Sequence, residues 1–177
     1  VDIDAPECWD HTIGSTGIKI AILDQGPVDS THQDLTGRVV QRDAGASEGH
    51  ATAVAGVAAA TGNNSIGIAG VDWRCKIISR TIDEWNGPFT AQVINQAVDS
   101  GALALNMSWT TRREVPCSPS GYDPDIRQSL VRAYNYNRVS VAAMGNESIE
   151  CRAYPAGYGH GIIAVGAITS TGERIYN

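Results

Sequence analysis

The 177-residue sequence predicts an α/β fold of three layers, a mostly parallel sheet with helices on both faces. Two observations predict it. Short apolar runs rich in β-branched residues alternate with stretches of helical length, and the runs are apolar at successive positions, so both faces of each strand need cover. A length of 177 residues with 42% hydrophobic content supports one domain with a real core, and residues 1–177 are read as a single unit.

Each element has its own warrant. Residues 19–23 form an apolar run that stops at Asp24-Gln25-Gly26-Pro27, a turn composition. Residues 51–60, almost all alanine and valine, predict a helix slim enough to pack closely on a sheet. A second strand is predicted over 76–82. A helix over 90–100 follows, with Thr90 as its cap and Gly101 just past its end. Residues 103–107 predict the third strand, 125–137 an amphipathic helix, and 139–143 and 162–167 the last two strands. No internal repeat, low-complexity tract or linker interrupts this order.

In open parallel sheets, ligands and catalytic groups gather beyond the carboxyl ends of the strands. Asp24 follows the first run, Ser108 the third, and Gly145-Asn146 the fourth, so all four are expected at one edge.

The totals exclude several function classes. A net charge of −6, from 13 Lys+Arg against 19 Asp+Glu, argues against a nucleic-acid partner. No apolar run has the length of a membrane span, so no membrane partner is expected. Cys8, Cys75, Cys117 and Cys151 contain no Cys-x-x-Cys pair, which argues against thiolate zinc. Three disulfide connectivities remain open beside four free thiols. Cys117 and Cys151 follow the third and fourth runs, and that shared edge favours pairing them.

Asp24 ends a buried strand, and its turn has one Gly and a Pro, not the Gly-x-Gly-x-x-Gly of a dinucleotide site. His50, in Gly49-His50-Ala51-Thr52-Ala53-Val54-Ala55-Gly56, opens the small-residue helix. Taken separately, the Asp reads equally as a turn former and the His as a packing or capping residue. Taken together, a carboxylate at a strand tip and an imidazole on a close-packed helix suit a charge-stabilised general base.

The chain resembles the subtilisin-like serine protease family. The resemblance is carried by Ile22-Leu23-Asp24-Gln25-Gly26, His32-Gln33-Asp34-Leu35, the His50 block, Asn63-Asn64-Ser65-Ile66-Gly67-Ile68-Ala69-Gly70-Val71, Asn106-Met107-Ser108, Ala142-Ala143-Met144-Gly145-Asn146 and Tyr154-Pro155-Ala156. It implies Asp24 as the triad carboxylate, His50 as the base and Asn146 as the oxyanion donor, with a polypeptide as substrate. Ser108, Trp109, Thr110 and Gly145 would bind that substrate. Relatives commonly carry a small aliphatic residue and Gly where Trp109 and Thr110 stand. Gln25, Pro27 and Ala53 are further departures. The resemblance also implies a calcium loop, with side-chain oxygens of Asp34 and Asn64 beside backbone carbonyls of Gly62, Ile66 and Ile68. It carries secretion, and an inhibitory propeptide as a partner, as further expectations.

The family's nucleophilic Ser lies in a Gly-Thr-Ser-x-Ala turn, and residues 1–177 contain no such block. Ser108 and Ser148 are the nearest serines to the expected site, and neither lies in a strand-to-helix elbow. The chain is therefore expected to be the front part of a catalytic domain, truncated on its C-terminal side and inactive alone, with the remaining C-terminal part as a partner. A pseudoprotease that binds peptides, and one part of a split enzyme, are the alternatives.

Overall fold

The computed structural model describes residues 3–111, 121–146, 152–173 and 175. Six parallel strands form one sheet: β1 (Lys19–Asp24), β2 (Val39–Arg42), β3 (Lys76–Thr81), β4 (Ala104–Met107), β5 (Val139–Ala143) and β6 (Ile162–Val165). Their spatial order is β2-β3-β1-β4-β5-β6, which puts β1 at the centre, hydrogen-bonded to β3 and β4. The five expected strands are all present, and β2 is added at one edge. Its apolar pair Val39-Val40 runs straight into Gln41-Arg42, so it offers no apolar run to read.

Among the described residues four α-helices accompany the sheet: α1 (Ala5–Trp9), α2 (Gly49–Ala59), α3 (Gly87–Asp99) and α4 (Pro124–Asn135). The expected Thr90 cap is corrected. Asn86 caps α3 by accepting the Phe89 N–H at 2.9 Å, Pro88 sits in the first turn, and Thr90 is buried inside the helix. Asp123 caps α4 through the N–H groups of Asp125 and Ile126.

Strand alternation divides the core in two. Ala21, Leu23, Ile78, Leu105 and Met107 pack with α3 and α4 on one face. Ile22 and Ile77 pack with Ala51, Ala55 and Ala59 of α2 and with Leu35 on the other. The alanines of α2 explain the fit: with one-carbon side chains on that stripe, helix and sheet come close enough for a residue at the helix start to reach a strand end.

Candidate active site

The strand tip at Asp24 is built from both neighbours. Asp24 is the last residue of β1, its carbonyl accepts the Ile82 N–H at 2.7 Å, and its Oδ1 accepts the following Gln25 N–H at 2.8 Å. His50 is the second residue of α2. Its Nδ1 lies 2.8 Å from Asp24 Oδ2, joining positions 26 residues apart. The carboxylate is almost enclosed, with 4% of its side chain exposed, whereas 49% of the imidazole is open to solvent. One nitrogen is thus tied to a buried anion, and Nε2 is left for chemistry at the surface.

Burial pushes the Asp24 carboxyl above the usual carboxylate range, and the nearby Glu48 charge adds to this. The Gln25 N–H, the charge of His50 and the His50 hydrogen bond pull it back. Glu48 was not singled out from the sequence. It is the N-cap of α2, accepting the Ala51 N–H through Oε2 at 2.7 Å, and N–H groups of Ala51 and His50 hold its carboxyl below the usual range. A carboxylate two residues before a His at a helix start was the available signal. Ligating atoms of Asp24, Glu48 and His50 lie within 4.8 Å of one another. Each of the three already holds a hydrogen bond, so the trio is a linked acid–base cluster and not an open cation cage.

Asn146 follows β5 through Gly145, whose φ of 91° turns the chain at the strand end. Because the sheet is parallel and β1, β4 and β5 are consecutive in space, Asp24, Ser108 and Asn146 stand at adjacent strand ends on one edge. Asn146 is solvent-exposed. Ser108 directs its hydroxyl to Asn106 Oδ1 at 3.1 Å, a local bond that places no base beside it.

Of the four residues expected to bind substrate, Thr110 and Trp109 differ in their surroundings. Thr110 lines a cavity of about 430 Å³ with Trp85, Asn86, Thr90, Tyr122 and Asp123. Trp109 packs into the core, 8% exposed, and donates its indole N–H to the Leu23 carbonyl at 2.9 Å.

The loop from Gly62 to Ile68 folds over Asp34. Asp34 is buried, its Oδ2 accepts the Ile68 N–H at 2.9 Å, and its Oδ1 accepts the Asn64 amide N–H at 3.1 Å. Asn64 Oδ1 in turn accepts the Ile66 N–H at 3.2 Å. Both side chains spend their oxygens on N–H donors, and Asp34 is the one carboxylate of the expected set. These hydrogen bonds close the loop around Asp34. Cys117, Cys151 and Ser148 lie outside the described residues. Cys8 and Cys75 are free thiols, and burial pushes Cys75 up to about 12.

The profile of the Subtilase family matches residues 15–176. The chain is 37% identical to thermitase of Thermoactinomyces vulgaris over 97% of its own length and 61% of that protein. It is 37% identical to the thermophilic serine proteinase of Bacillus sp. strain AK1 over 90% of its length and 40% of that protein. It thus spans between two fifths and about three fifths of these curated relatives. Among solved structures, the prenylagaramide maturation protease PagA superposes with a TM-score of 0.81 at 24% identity, covering 98% of this chain and 62% of that one, and shows the shared fold. Fervidolysin of Fervidobacterium pennivorans gives 0.71 at 28% identity, covering 94% and 26%. A family profile matched across almost the whole chain, on a sheet of the same architecture, means that this protein belongs to the subtilase family of serine proteases.

Proposed function

We propose that residues 1–177 supply the acid–base half of a serine endopeptidase site, and that the nucleophilic Ser comes from sequence outside them. The observation that carries this reading is the 2.8 Å contact between a buried strand-tip carboxylate and a half-exposed imidazole. His50 Nε2 takes the proton from the Ser hydroxyl as it attacks the scissile carbonyl, then returns it to the leaving amine. Asp24 holds Nδ1–H, which fixes the tautomer and stabilises the imidazolium. Asn146, at the neighbouring strand end, donates its amide to the oxyanion. The substrate is an unfolded polypeptide lying extended along Ser108 to Thr110, with a side chain entering the cavity beside Thr110. Secretion and control by a propeptide belong to the same reading. Among the described residues no helix is long and apolar enough to cross a membrane.

The test is made in a full-length protein that includes a Gly-Thr-Ser-x-Ala block. It should cleave an unfolded protein substrate, and His50→Ala should lower kcat by about 10²–10⁴ while KM changes little. Cleavage that survives this substitution undiminished overturns the assignment. Residues 1–177 by themselves should show no cleavage.

A further inference from the structure

We propose that Trp109 is a positioning residue for the Asp24–His50 pair, acting through the backbone of the strand tip; this rests on the acid–base reading above. The geometry begins with carbonyl direction along β1. Ile18 and Asp24 present their carbonyls to the β3 side, where Lys76 and Ile82 supply N–H groups, whereas Lys19 presents its carbonyl to the β4 side, where Leu103 donates. Carbonyls alternate along a strand, so Leu23 faces β4.

There the partner is missing. Pairing between β1 and β4 ends at Ile22 with Asn106, as the chain after Met107 leaves the sheet. Leu23 is fully buried, and a buried carbonyl without a donor is costly. The indole N–H of Trp109 takes the place of the absent ladder bond at 2.9 Å. Leu23 directly precedes the residue that binds His50.

The indole is itself held. Trp109 belongs to the cluster containing Leu23, Ile82 and Met107, and the Trp85 ring meets it edge-on with centroids 5.3 Å apart. Asp24 is therefore fixed from both sides of its strand: Ile82 N–H on the β3 side and Trp109 on the β4 side. An aliphatic side chain at position 109 carries no N–H donor. The donor, not the bulk, is what positions the carboxylate.

The experiment separates donor from bulk. In the full-length protein, Trp109 is replaced by 3-benzothienylalanine, which keeps ring size and exchanges N–H for sulfur; Trp109→Phe is the second variant. Retained near-UV circular dichroism shows that the core is intact. The expected result is a kcat reduced about tenfold with KM nearly unchanged, since the lost bond acts on the geometry of the base. In the same full-length protein, the low-field proton resonance of the Asp24–His50 hydrogen bond should broaden or shift in both variants. Unchanged kcat together with an unchanged resonance overturns the proposal. If the parent protein cuts no peptide yet the resonance responds to the sulfur analogue, the protease reading fails and the positioning role stands.

Discussion

Asp34 is a carboxylate whose worth lies in what it closes. It is buried beneath the loop after α2, where the Ile68 N–H, then the Asn64 amide, hold it below its usual range. A folded-state value lowered relative to about 3.9 in the unfolded chain means that the ionised form favours folding. That contribution is fully present above roughly pH 5 and is lost as the pH falls through the folded value. Asp34→Asn should therefore lower the melting temperature at pH 7 and narrow its gap to the parent at pH 3. Melting curves at both values check this, and a pH-independent gap would refute it. The residue was legible in His32-Gln33-Asp34-Leu35, but its role was not. Spacing shows that an oxygen is available and cannot show that an N–H has already taken it.

Among the elements, the loop from Gly62 to Ile68 shows the same limit. Its backbone carries positive φ at Asn63, Ser65 and Gly67, and a Cβ on Gly67 would collide with Asp34 Oδ2, so the loop is wound tightly on that carboxylate. We propose that these hydrogen bonds already close the loop, so that calcium adds little to its stability. Replacing calcium by a chelator should move the melting temperature by no more than ~1 °C, because stabilisation requires the ligand to bind the native state. A larger drop would mean that the Asn64 amide turns over and the loop opens. Five of the six strands and α2 were legible because apolar runs and small residues are local signals, and β2 was not because it lacks such a run. The start of α3 was not, because Asn86 and Thr90 are both acceptable caps and Pro88 decides between them.

The whole molecule leaves one surface uncovered. Val139, Ile163 and Val165 are 48%, 54% and 49% exposed, and they share the α2 face of β5 and β6, which no described helix covers. Met144 adds another exposed apolar side chain. A contiguous apolar face of this kind favours association. Residues 1–177 expressed alone should therefore sediment as oligomers and bind a hydrophobic dye; a dye-silent monomer with a sharp, reversible melt would refute this. By itself the sequence determined the alternation of strands and helices, the chemical types at each strand end and the family, since all are carried by neighbours in the chain. Only the tertiary structure decided which of those groups meet. The 2.8 Å bond from Asp24 to His50, the inward turn of Trp109 and the closure of the Asp34 loop depend on strand order and side-chain direction. Those are set by packing among residues far apart in the chain, and no local pattern records them.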